Sequence, residues 1–179
     1  VRSTIKLSTK EAGLISERRS QQIDRALAEE SHQTTQLRLS LEAAAARSEA
    51  QGIPAVILSD AIEGEARDVG AVHAAISREI ATRNRPFTAP VVLLSGGETT
   101  VTLRGDGGRG GRNTEFLLAF ARGIDGTPGI SALAADTDGI DGTEDNAGAF
   151  VDGASASAMR EAGADPMAML SKNDAFGAF

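Results

Sequence analysis

The segment best suited to meet an anion is Gly105-Asp106-Gly107-Gly108-Arg109-Gly110-Gly111-Arg112-Asn113. Glycines let backbone N–H groups approach a phosphate, and a helix beginning just after them adds partial positive charge. Arg112 supplies a forked, permanent cation that suits phosphate or carboxylate. The run also contains the pattern G-x-G-x-x-G at Gly105, Gly107 and Gly110, with Asp136 where a ribose-binding acid would sit, which permits a dinucleotide reading. Two features weigh against that reading: the preceding stretch is half polar, and Asp136 lies beyond the usual spacing of ~20 residues. No Gly-Lys-Ser/Thr follows the glycines, so there is no P-loop. A surface hairpin is the structural alternative.

A second constellation is Asp136, Asp138 and Asp141, with Glu144 and Asp145 close behind. Oxygen ligands of this kind suit Mg²⁺ or Ca²⁺, although the position of Gly139 does not fit an EF-hand. Asx-turns and helix caps are the alternative use of such acids. The third constellation, Ser95-Gly96-Gly97-Glu98, is expected to be a loop at a strand end. There Glu98 could hold a substrate hydroxyl, pair with an arginine or act on a metal-bound water. Glu63-Gly64-Glu65 is expected to open a helix, where acids favour the dipole. His73 and His32 are assigned no function, because a packed or solvated histidine accounts for each.

These loops need elements to hold them. Residues Leu14 to Gln51 read as helix, with a break in the polar stretch Glu29 to Gln36 and Gly52 as a stop. Ala55 to Leu58 reads as a strand buried on both faces. A helix follows, with Ala66, Val69, Val72, Ile76 and Ile80 on its inner face and Arg67, Asp68, Arg78 and Glu79 facing outward. Asn84 to Pro90, with two prolines, is the expected domain boundary. Beyond it, Val91 to Leu94 and Thr99 to Leu103 read as separate strands, followed by a helix capped by Asn113 or Thr114. Ser131 to Ala135 reads as a strand feeding the acidic segment, and short helices near Ser155 to Ala162 and Pro166 to Leu170 complete the pattern. The order is that of an α/β protein.

Bulk properties narrow the function. The chain has 179 residues, 41% hydrophobic and 24% charged, as expected of a globular protein with a real core. A net charge of −7 and the lack of a basic stripe speak against nucleic acid. The absence of cysteine removes disulfide, zinc-thiolate and thiol chemistry and fits the cytoplasm. No apolar stretch approaches the ~20 residues that span a bilayer, and no signal peptide opens the chain. It begins at Val1 and stops at Phe179, so both ends are expected to be cut.

Four motifs together resemble the glycerate 2-kinase family, whose C-terminal part is the MOFRL domain: Glu63-Gly64-Glu65-Ala66-Arg67, Ser95-Gly96-Gly97-Glu98-Thr99-Thr100-Val101, Gly110-Gly111-Arg112-Asn113-Thr114-Glu115 and Asp136-Thr137-Asp138-Gly139-Ile140-Asp141-Gly142. The likeness covers roughly residues 37 to 179 and leaves residues 1–36 unmatched. It implies a Rossmann-like portion over 1–86, a smaller α/β MOFRL domain over 87–179, and a cleft between the two domains of the family. It further implies ATP-dependent phosphorylation of D-glycerate at its 2-hydroxyl to 2-phosphoglycerate, with ATP and Mg²⁺ as cofactors and partners confined to nucleotide and small-molecule substrate.

In that pattern Arg112 is catalytic. Ser95, Gly96, Gly97, Glu98, Gly110, Gly111, Asn113 and Glu115 bind substrate or nucleotide, and Asp136, Asp138 and Asp141 serve the metal. The family pairs the arginine with a lysine that residues 1–36 do not recognisably supply, and it closes with a Thr-Gly-Pro-Thr type motif after the Asn-Asp region. The 179-residue chain by itself is therefore expected to have little or no kinase activity. The competing expectations are an NAD(P)H-dependent hydroxypyruvate reductase, a name often attached to members of the family, and a non-catalytic binding module.

Overall fold

The structure is a computed structural model. It describes residues 9–104 and 107–179, without the side chains of residues 9–17, 26 and 30–33, so Gly105, Asp106 and the side chain of His32 lie outside the described residues. Helix α1 (Thr9–Glu49) runs 41 residues without the expected break at 29–36. From Leu14 to Gln51 there is neither glycine nor proline, and strong helix formers carry the helix through its polar stretch. Gly52, at φ +81°, then ends it.

Strand β1 (Ala55–Glu65) starts where expected but continues through Glu63-Gly64-Glu65, the residues expected to open a helix. They become the last rungs of a parallel ladder with β2 (Val92–Thr100), in which Glu63 stands opposite Glu98 and Glu65 opposite Thr100. Helix α2 (Ala66–Arg83) begins one residue later with Glu65 as its N-cap. Pairing with β2 satisfies the backbone there, and it overrides the local preference of acids for a helix start.

β2 likewise joins what the sequence reads as two strands and a loop. Ser95-Gly96-Gly97-Glu98 lies inside the strand, which requires a glycine at position 97. A Cβ on Gly97, at φ +149°, would strike the Ile62 backbone where the β1 register shifts, and one on Gly96 would come within 2.7 Å of Leu37 of α1. Because β1 precedes the prolines and β2 follows them, the chain on both sides of Pro86–Pro90 shares one sheet.

Small residues set the contact between α2 and α3 (Arg112–Gly123). The buried positions of α2 are Ala66, Gly70, Ala74 and Ile80, whereas Val72, expected inside, is 57% exposed. A Cβ on Gly70 would strike the Phe116 carbonyl, and one on Gly123 would collide with the Ala74 methyl, so the helices approach more closely than branched side chains allow. Gly70→Ala is therefore expected to destabilise the fold by about 1–3 kcal/mol. Helix propensity alone would favour alanine by up to about 1 kcal/mol, but the neighbour is backbone and cannot yield. Urea unfolding checks the sign.

α3 is the centre of the molecule. One side packs with Leu117, Phe120, Ala121 and Ile124 on Ala132, Ala134, Ala149 and Val151 of an antiparallel pair, β3 (Ser131–Ala135) and β4 (Gly148–Asp152). β4 has no counterpart in the sequence expectation. The other side packs with Leu118 and Ala119 on Met159, Leu170, Ala175 and Ala178 from α4 (Ser155–Glu161), α5 (Pro166–Ser171) and the 3₁₀ turn Phe176–Ala178. The chain is an α/β fold, and among the described residues no helix is long and apolar enough to cross a membrane.

Candidate active site

The N-terminus of α3 lies where the glycine-rich segment, the acidic loop and β2 meet. Its N-cap is Gly111 rather than Asn113 or Thr114. Two amides of the first turn are taken by Asp141, whose Oδ1 accepts from the Asn113 N–H at 2.9 Å and whose Oδ2 accepts from the Thr114 N–H at 2.8 Å. The Thr114 hydroxyl adds a third bond to Oδ2 at 2.8 Å. Asp141 is completely buried, and a Cβ on Gly111 would collide with its carboxylate. The helix terminus expected to receive a phosphate thus already holds an anion from the chain itself, the arrangement that the helix dipole favours.

Arg112, the first residue of α3, projects from this capped turn with its side chain 39% exposed. One terminal nitrogen pairs with Glu98 of β2, and the other donates to Asp136 Oδ2 at 3.1 Å, just past the end of β3. Three residues singled out in the sequence thereby converge from three elements. Asp138 does not join them: it is exposed, and its Oδ1 accepts from the Ile140 N–H at 2.9 Å in an Asx-turn. With Asp141 spent on α3, the three expected metal ligands are separated. Among the described residues no group of three histidines, cysteines or carboxylates could hold a metal ion.

The remaining expected contacts are dispersed. The Ser95 hydroxyl lies 3.1 Å from His73 Nε2, whose Nδ1 donates to the Val69 carbonyl at 2.8 Å. In the neutral ring Nε2 is then the acceptor, so Ser95 donates to it and ties β2 to α2. Gly96 and Gly97 serve the sheet. Gly110, at φ +131°, packs against Phe176 and Thr114, and Asn113 turns its side chain toward Asp141 at 3.3 Å.

Glu115, expected to bind substrate or nucleotide, is only 2% exposed and faces inward. It receives Arg67 Nε at 2.7 Å and Asn173 Nδ2 at 3.1 Å. Arg67, expected on the outer face of α2, turns inward because this buried carboxylate is its counter-charge. Asn173, also buried and at φ 55°, accepts from the Arg104 N–H at 2.8 Å and donates to the Thr102 carbonyl at 3.2 Å.

Glu65 completes the group by accepting from the Thr102 N–H at 3.0 Å and the Thr102 hydroxyl at 2.9 Å. The Thr102 N–H, above all, holds the Glu65 carboxyl below its ordinary range, with Arg67 and Arg104 adding to the effect. A carboxyl depressed on folding contributes stability above its unfolded value and loses that contribution as pH falls through the folded one. We therefore expect Glu65 to titrate below an exposed glutamate, and the Thr102 amide signal to move with it in an NMR pH titration. Sequence reading missed Arg67, Thr102 and Asn173. The one signal available was the Asn-Asp pair at 173–174, since asparagine tolerates the left-handed region.

Comparison with known proteins shows the family and the fold. The model of the MOFRL family matches residues 91–179. A protein of Agrobacterium vitis that carries the provisional name hydroxypyruvate reductase is 54% identical over 142 residues, covering 79% of this chain and 37% of its own. The glycerate 2-kinase of Pyrococcus horikoshii is 44% identical, covering 78% of this chain and 32% of its own. The crystal structure of the glycerate kinase of Thermotoga maritima superposes with a TM-score of 0.75 at 37% identity, over 77% of this chain and 33% of that one. The chain spans about a third of the length of the curated relatives it matches.

Proposed function

The chain belongs to the MOFRL family through residues 91–179, and on that premise we propose that it forms one wall of the cleft of an ATP-dependent glycerate 2-kinase. The reaction so assigned transfers a phosphoryl group to the 2-hydroxyl of D-glycerate and gives 2-phosphoglycerate and ADP. We read residues 1–86 as the end of the larger domain and 87–179 as the MOFRL domain, the two sharing the β1–β2 sheet.

The observation that carries the reading is the placement of Arg112. Phosphoryl transfer asks a protein for position and positive charge rather than covalent chemistry, and a forked cation on a buried, capped helix meets both demands. Its present partners hold it lightly, because ion pairs this exposed contribute about 0–1 kcal/mol. An arriving phosphate can therefore replace Glu98 and Asp136 at little cost, whereas the helix beneath stays fixed by Asp141. The acceptor hydroxyl oxygen bonds to phosphorus and releases its proton to solvent as the bond to the ADP oxygen breaks, and Arg112 would face the charge spread over the transferring oxygens.

Mg²⁺ on a nucleotide keeps several waters and takes only one or two carboxylates from the protein. Asp136 fits that requirement, whereas Asp138 is turned to the Ile140 N–H and both oxygens of Asp141 are already taken. ATP with Mg²⁺ supplies the phosphoryl donor and neutralises its charge when bound. Because the chain spans about a third of its relatives, it is expected by itself to release ADP far more slowly than the intact parent.

The reductase reading has weaker support. A dinucleotide fingerprint needs a strand running directly into its glycines and a parallel neighbour beyond. Here β2 ends at Thr100, short of the glycines, and β3 pairs antiparallel with β4. The test is a paired assay on the intact parent: Mg-ATP with D-glycerate followed by ADP release, against NADH or NADPH with hydroxypyruvate followed by absorbance. ADP release supports the kinase. Cofactor oxidation without ADP release would replace it by the reductase, and silence in both would leave a binding module.

A further inference from the structure

Gly108 and Gly110 are glycines because another stretch of chain lies on them. A Cβ on Gly108 would come within 2.7 Å of the Asp174 amide nitrogen, and one on Gly110 within 2.9 Å of that of Phe176. The contact is bonded as well as close. Asp174 Oδ1 accepts from the Arg109 N–H at 3.1 Å, the Phe176 N–H donates to the Arg109 carbonyl at 2.9 Å, and the Phe176 ring lies 4.3 Å from the Arg109 guanidinium. The same turn reaches the segment after β2, where Asn173 holds the Arg104 N–H and the Thr102 carbonyl.

A run rich in glycine has no side chains with which to fix its own path, and it carries the largest entropy cost of ordering. Arg112 follows three residues after Arg109. On its C-terminal side Asp141 fixes the backbone; on its N-terminal side the Gly111 N–H donates to Thr114 Oγ1 at 2.9 Å within the same helix turn, and the next bonded point, held by a different segment, is Arg109, bound by Asp174 and Phe176.

We propose that the Asn173–Phe176 turn is a clasp that positions Arg112, making Asn173 and Asp174 positioning residues for the phosphate-facing arginine. The role assigned to Arg112 rests on the reading under Proposed function; the clasp itself can be tested without it.

The experiment uses the 179-residue chain and its D174A, D174N and N173G variants. The asparagine in D174N retains an oxygen that can accept from Arg109, and glycine in N173G removes the side chain without straining a φ of 55°. Amide exchange at Arg109 is expected to rise about tenfold or more in D174A and at Arg104 in N173G, with the amides of α2 unchanged. The Arg112 Nε–H resonance, a readout of where that guanidinium sits, should shift or broaden in D174A and return in D174N.

Wild-type exchange at both amides would overturn the clasp, and raised exchange with an unmoved Arg112 resonance would overturn its positioning role. If D174A fails to fold, Arg104 exchange and the Arg112 resonance in N173G decide in the same way. A separate MgADP titration of the intact parent bears on the kinase reading. Failure to bind there counts against that reading, while exchange and the Arg112 resonance still decide the clasp.

Discussion

Arg112→Ala in the intact parent is expected to lower kcat for ADP release about a thousandfold, the lower end of what a phosphoryl-stabilising arginine contributes. The KM for D-glycerate should change by less than about threefold, because an interaction made only in the transition state leaves ground-state binding nearly untouched. Arg112→Lys restores the charge without the fork that now spans Glu98 and Asp136, and it should recover only part of the rate. The fold should be unaffected, since the side chain is partly exposed and its two ion pairs contribute little. A variant with full kcat would remove Arg112 from the chemistry. A large rise in KM with kcat unchanged would make it a binding residue instead.

Glu115→Ala should act on stability rather than on turnover. The carboxylate is buried with Arg67 on one side and Asn173 on the other, so its removal leaves a nearly buried guanidinium without its counter-charge. Breaking such a pair from one end costs about 3–5 kcal/mol, a large part of the stability of an ordinary domain. Chemical denaturation of the variant measures the cost. A nucleotide ligand at this position would give the opposite pattern, with normal stability and weakened MgADP binding. Glu115→Gln, which keeps an oxygen for Asn173 and loses the charge, separates the hydrogen bond from the ion pair.

What the sequence made legible was local. Short runs of Val, Ile and Leu marked the starts of β1 and β2, the spacing of Ala66, Val69, Ile76 and Ile80 marked α2, and glycine density marked the segment ahead of Arg112. Residues close in sequence stayed where their own chemistry put them, as Asp138 did in its Asx-turn. The errors in the strands share one cause. Glu63 to Glu65, Ser95 to Glu98 and β4 depend on which backbone lies alongside, and a partner strand can override local preference by satisfying hydrogen bonds that no local signal describes.

The division within the candidate site follows the same line. Residue type by itself determined that Arg112 carries a fixed cation, that Glu98 can pair with an arginine, that Asp136 offers oxygen ligands, and that the glycines allow close approach. Tertiary structure decided the assignments. It placed Asp141 on the helix terminus that a phosphate was expected to occupy, and it turned Glu115 inward to Arg67 from across 48 positions of sequence. It also used Gly108 and Gly110 to admit the chain at Asp174 and Phe176. An acid or a glycine has the same chemistry in every such role. Which role it takes depends on the dielectric, the donors and the backbone that folding brings against it, and those come from residues far away in the chain.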